Sequence, residues 1–81
     1  MPNDIIDEQA ANLCHNIAWL RRHYGLTKKE MALTLGLGVR GLSMIENGVI
    51  PKSMSVVHLD IIARLSGTSI RSLFGERLGE D

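Results

Sequence analysis

Residues 39–47, Val-Arg-Gly-Leu-Ser-Met-Ile-Glu-Asn, interleave aliphatic side chains with ones able to make directional contacts. With about 3.6 residues per helical turn, Val39, Leu42 and Ile45 fall on one side together with Glu46. Arg40, Ser43, Met44 and Asn47 fall on the other, with Gly41 beside them. One side is aliphatic with a single carboxylate; the other is small, polar and cationic. Such a face suits non-covalent recognition. Covalent catalysis has no support elsewhere in the chain, because no nucleophile–base arrangement and no glycine-rich phosphate loop is present. His15, His23 and His58 show no ligand spacing with carboxylates or with Cys14, so neither a metal site nor a cofactor is expected. The chain is not expected to be an enzyme.

Two further groups bear on the same region. Glu46 is a carboxylate on an otherwise aliphatic side, a costly placement unless it is paired. Arg21 lies one position past Leu20, at the edge of an apolar stripe, so an Arg21–Glu46 ion pair is expected, the alternative being two solvated charges. Lys28 and Lys29 fall in the first turn of a short helix, where cations oppose the helix dipole by some tenths of a kcal/mol each. An anion docked there removes the conflict, since backbone N–H groups and a lysine together make a phosphate site. The plainer alternative is that both lysines are exposed and solubilising.

The elements that must position these groups are helical throughout, with no alternating strand pattern, repeat or low-complexity segment. Ile6, Ala10, Leu13, Ile17, Leu20 and Tyr24 recur at spacings of four and three, an apolar stripe on one long helix. Asn3 or Asp4 can cap its start, with Asp7 and Glu8 in its first turn, and Gly25 ends it. Cys14 flanks the stripe and is expected in the core. Thr27 and Glu30 have the spacing of a capping box, and Met31, Ala32 and Leu35 give the apolar side of a second helix. Gly36-Leu37-Gly38 breaks that helix. A third follows from Val39 to Asn47 and stops at Gly48. Val49 to Lys52, with Pro51, is a loop. Ser53 or Ser55 opens a fourth helix ending near Ser66. Ser69 caps a last short one, Ile70 to Phe74, ended by Gly75. The expectation is one all-α domain over 1–81, with a core at 5–75 and a fraying tail at 76–81.

The 81 residues suit one small domain. Net charge is zero, yet residues 1–20 carry −3, residues 21–52 carry +4 and residues 53–81 carry −1. The positive charge is thus concentrated around the second and third helices. Cys14 is the single cysteine and has no internal disulfide partner, in keeping with a reducing compartment. No apolar run approaches the ~18 residues of a membrane span, and no basic-then-apolar leader is seen. A cytoplasmic protein without membrane contact is expected.

The pattern Gly25-Leu26-Thr27-x-x-Glu30-Met31-Ala32-x-x-Leu35-Gly36-Leu37, continued by Leu42-Ser43-x-Ile45-Glu46-Asn47-Gly48, resembles the lambda repressor/Cro-type helix-turn-helix, the XRE family. Arg21 and Glu46 stand where that family often has an arginine and its partner glutamate. Ile62 to Ile70 is similar to the family's fourth helix running into the fifth. The resemblance covers residues 13–74 and implies a five-helix, lambda-repressor-like domain that binds double-stranded DNA as a transcriptional regulator, a repressor and homodimer in particular. The third helix would enter the major groove while the second crosses the backbone. By position, Val39, Arg40, Gly41, Ser43 and Met44 would face base edges, and Arg40 could grip guanine N7 and O6 together. Thr27, Lys28, Lys29, Asn47 and Lys52 would meet phosphates. The family commonly has Ser or Thr at position 38 and Gln, Arg, Ser or Thr at 39 to 41; here the residues are Gly, Val, Arg and Gly. Gly41 costs about 1 kcal/mol against Ala inside a helix. Either it lets the backbone approach DNA closely, or the face no longer reads sequence strongly.

An interaction module of the same fold, such as an antitoxin or an assembly subunit with a protein partner (a toxin or regulator), is the competing expectation. Trp19, off the first helix's stripe and beside His15, would pack under the tail or contact such a partner. On the fourth helix Val56, Leu59, Ile62 and Ala63 share one face, and Val57, Ile61 and Leu65 the opposite one. A helix buried all round is expected, the alternative being a dimer interface with Leu73, Phe74 or Leu78.

Overall fold

Apolar residues at helical spacing, interrupted by capping residues, generate five α-helices. They are α1 (Asp4–His23), α2 (Lys28–Leu35), α3 (Val39–Glu46), α4 (Val56–Ser66) and α5 (Ile70–Gly75). The computed structural model describes the backbone of residues 4–79 and the side chains of residues 8–79. The expected cap at Asn3 or Asp4 and the roles of Ile6 and Asp7 lie outside the described side chains.

Leu13, Ile17 and Leu20 of α1 are sealed from solvent, with Cys14 beside them. They meet Met31, Ala32 and Leu35 of α2, Leu42 and Ile45 of α3, Ile62 and Ala63 of α4 and Leu73 of α5 in one core cluster. Each fully buried aliphatic side chain contributes about 1.5–3 kcal/mol. Burial also pushes the Cys14 thiol above its ordinary pKa, because the thiolate is disfavoured away from water. The largest helix pairing joins α1 to α5; α2 packs on α3, α3 on α1, and α4 on α5 and α2.

The turn between α2 and α3 depends on a residue able to take positive φ. Gly36 does so at φ 77°, and the Leu37 N–H returns to the Ala32 carbonyl at 2.9 Å. Leu37 is then drawn into the core while Gly38 opens α3 with extended backbone. At the start of α2 the capping box is complete. The Glu30 N–H donates to Thr27 Oγ1 at 3.1 Å, and the Thr27 N–H donates to Glu30 Oε1 at 2.8 Å.

Several expectations require correction. Tyr24 lies past the end of α1 and is half exposed; its hydroxyl donates to the Leu65 carbonyl at 2.9 Å, tying α1 to the end of α4. Val39 is exposed, because the first residue of α3 precedes the point where the helix reaches the core. α4 opens at Ser55 and is not buried all round: Val56 and Val57 in its first turn are 71% and 67% exposed. Gly75 is the last helical residue of α5, and the extended Glu76 follows it. Of the tail, residues 76–79 are described, and 76–78 are hydrogen-bonded to Asn12 and Asn16 of α1.

Candidate nucleic-acid interface

Glu46 sits near the end of α3 and Arg21 near the end of α1, and α1 packs on α3. The two side chains meet as the spacing predicts. Arg21 Nε donates to Glu46 Oε2 at 2.5 Å and Nη2 to Oε1 at 3.3 Å, a forked contact. Arg21 Nη1 also donates to the Leu26 carbonyl at 3.1 Å. One guanidinium therefore joins α1, the turn before α2, and the end of α3. The Lys28 ammonium stands 4.0 Å from Glu46 Oε1, so it adds a second, outer cation to the same carboxylate. This position was expected to meet a phosphate or simply to be exposed; the ammonium also lies between the start of α2 and the end of α3.

The opposite side of α3 stays outside the core. Val39, Arg40 and Met44 are exposed and Ser43 is half-buried. Arg40 has no intramolecular hydrogen-bond or ion-pair partner among the described residues. Gly38 has no side chain to cap the helix, so the first amides of α3 are not satisfied by a side chain. Asn47 is exposed, and its amide donates to the Ser43 carbonyl at 2.9 Å; one of its two N–H donors is thus held by its own helix. Lys29 is exposed at the start of α2, and Lys52 in the loop before α4. Thr27 Oγ1 accepts the cap bond from Glu30 N–H, which leaves the hydroxyl hydrogen for another acceptor. That same box lowers the Glu30 pKa, through the Thr27 backbone bond first and the Thr27 side-chain bond second.

Gly41 lies close to the protein's own neighbouring segments. A Cβ added there would lie 3.8 Å from Leu37 Cβ and 3.8 Å from Pro51 Cγ, in ordinary contact with the protein itself. A methyl group there would meet the turn before α3 and the loop after it. A wheel of one helix cannot reveal this, since Leu37 and Pro51 belong to the segments before and after it.

Two short helices meet at the Gly36 turn, the second holding Leu42 and Ile45 inward and an arginine, unpaired among the described residues, outward. A family model described as helix-turn-helix matches residues 17–73. The chain belongs to the helix-turn-helix family, of lambda repressor/Cro type. Neither the curated proteins nor the solved structures provide a match. The match runs from Ile17 in α1 to Leu73 in α5, so it contains the turn, both helices flanking it and the Arg21–Glu46 pair. Helix-turn-helix domains of this kind are DNA-binding regulatory modules and not typically enzymatic. Among the described residues no group of His, Cys, Asp or Glu is placed to hold a metal ion. No described helix is long and apolar enough to cross a membrane.

Four residues went unpredicted: Asn12, Asn16 and Arg77, which organise the chain after α5, and His58, whose Nδ1 accepts the Ser55 N–H at 3.0 Å to cap α4. Asn12 and Asn16 did leave a signal: two amides four residues apart, interleaved with the buried Leu13 and Ile17.

Proposed function

We propose that this chain is a sequence-specific transcriptional regulator that places α3 in the major groove of double-stranded DNA and acts as a repressor. The observation that carries the reading is Arg40: an exposed, unpartnered guanidinium in the first turn of the second helix of a helix-turn-helix. A guanidinium presents a planar fork that matches guanine N7 and O6, the commonest specific contact in the major groove. Val39 and Met44 supply apolar contact to either side, and Ser43 a hydroxyl. Gly41 contributes backbone only. Lys28, Lys29 and Thr27 at the start of α2, with Asn47 and Lys52 beyond α3, meet phosphates and set the register without reading bases. The Arg21–Glu46 pair fixes the angle of α3 against α1, so that few contacts suffice to orient it. A homodimer on a two-fold site doubles the small surface one copy offers, and a cytoplasmic location follows from the role.

The test is selection of bound duplexes from a random pool at two salt concentrations. An enriched palindrome containing guanine in each half-site is the expected result. Recovery of no motif at either salt concentration would overturn the reading.

One observation favours a second reading, a protein-interaction module such as an antitoxin or an assembly subunit. Val56 and Val57 are adjacent, apolar and largely exposed. A stable complex with a toxin or regulator, lost on Val57→Asp and formed without DNA, would favour it. The two readings are compatible, since the valines belong to α4 and the proposed DNA contacts to α2, α3 and the loop after α3.

A further inference from the structure

Side chains of α1, rather than backbone, hold the segment after α5. Asn16 is fully buried, and its amide is used almost completely. Its Nδ2 donates to the Leu73 and Glu76 carbonyls at 2.8 Å each, and its Oδ1 accepts the Leu78 N–H at 2.7 Å. Four residues earlier, Asn12 Nδ2 donates to the Phe74 carbonyl at 2.8 Å, and Asn12 Oδ1 accepts from Arg77 Nε at 2.8 Å. His15 Nε2 lies 3.2 Å from the Leu78 carbonyl. The last helical bond of α5 is from the Glu76 N–H to the Ser72 carbonyl, so the later residues lean on α1 side chains. Leu78 packs its side chain against the core cluster.

The end of this segment rests on Trp19. Gly79 has φ +82°, and a Cβ there would collide with the indole, lying 2.8 Å from both Cδ1 and Cε2. Glycine is required twice over, by the backbone angle and by the contact. Trp19 is also stacked on His23, with ring centroids 4.4 Å apart and planes 13° from parallel.

We propose that residues 76–79 are a latch that closes over Trp19 and opens as a unit while the five helices stay folded. Three features support independent opening. The segment half-buries one large apolar side chain, Leu78, while Glu76, Arg77 and Gly79 are exposed. Gly75, just before it, is exposed and has no neighbour within 4 Å of an added Cβ. The bonds that close the latch are side-chain amides that water can satisfy when it opens, which keeps the opening cost below that of a helix in the core. Opening uncovers Trp19 and the two asparagine amides, so the latch controls access to this face of α1.

Trp19 is the single tryptophan, so its emission reports the latch directly in the full chain. Native-state hydrogen exchange of the Leu78 amide gives a second readout. The Leu78 amide is expected to exchange at least about tenfold faster than those of Leu20 and Leu35. Gly79→Ala should shift Trp19 emission to longer wavelength and speed Leu78 exchange about tenfold, with Leu20 and Leu35 exchange unchanged. Arg77→Ala, which removes one closing bond, should move both readouts the same way by less. The proposal is overturned if Leu78 exchanges at the core rate, if Gly79→Ala changes neither readout, or if either variant unfolds the helices together with the segment.

Discussion

Gly41→Ala separates the two roles a glycine can have in α3. The structure leaves room for the methyl group: its nearest neighbours, Leu37 Cβ and Pro51 Cγ, would both be 3.8 Å away, a normal van der Waals separation. The backbone there is helical with negative φ, so alanine meets no conformational penalty. Alanine is favoured over glycine by about 1 kcal/mol in a helix interior. Gly41 is the third residue of an eight-residue helix, where part of that gain applies, so a stabilisation of about 0.5–1 kcal/mol is expected. For a domain of this size that raises the melting temperature by roughly 2–8 °C. The assay is thermal unfolding by circular dichroism, paired with titration of a bound duplex. Because the methyl group points at the protein's own turn and loop, DNA affinity should stay within about twofold, a ΔΔG below ~0.5 kcal/mol. A lower melting temperature would refute the packing argument. An unchanged fold with affinity reduced tenfold or more would restore Gly41 as a place of close backbone approach to DNA.

Other expectations concern the groups around this helix. Glu46→Gln removes the acceptor charge from a pair whose side chains are 20% and 13% exposed, and it should cost about 2 kcal/mol by denaturant unfolding, less than the 3–5 of a fully buried pair; a loss under ~0.5 kcal/mol would show the pair to be solvated in effect. Glu30 has a folded pKa below its unfolded one, so its contribution is present above the unfolded carboxyl range and lost as pH falls through the folded value. Melting of the protein and of Glu30→Gln should therefore differ at neutral pH and converge in acid; a difference that grows in acid would contradict the capping account. Cys14 is buried with a raised pKa, so its labelling by a thiol reagent at neutral pH should track global unfolding, and rapid labelling of the folded chain would show the core around α1 to be open.

Most of the fold was legible because its signals are local. Thr27 and Glu30 cap α2 at the required spacing, Gly36 ends it, and Leu13, Ile17 and Leu20 repeat at helical intervals. The Arg21–Glu46 pair was legible for a different reason: a carboxylate on an aliphatic face demands a partner. What escaped depends on contacts between distant segments. Gly41 faces Pro51, Tyr24 reaches Leu65, and Asn12 and Asn16 grip residues more than fifty positions later. No helical periodicity encodes such meetings. The exposure of Val56 and Val57 was missed for the same reason, since a wheel shows which residues share a face but not where a neighbouring helix stops.

The central claim is that Arg40 on α3 reads a base while the lysines of α2 hold the backbone. Its most direct measurement is titration of the protein, Arg40→Ala and Lys28→Ala against the selected duplex and a scrambled one across a range of salt. Arg40→Ala should lose about 1–3 kcal/mol on the selected duplex and almost nothing on the scrambled one. Lys28→Ala should weaken both alike and reduce the salt slope by about one unit, if its ammonium leaves Glu46 for phosphate. Arg40→Ala binding both duplexes as tightly as the parent protein does would contradict the account.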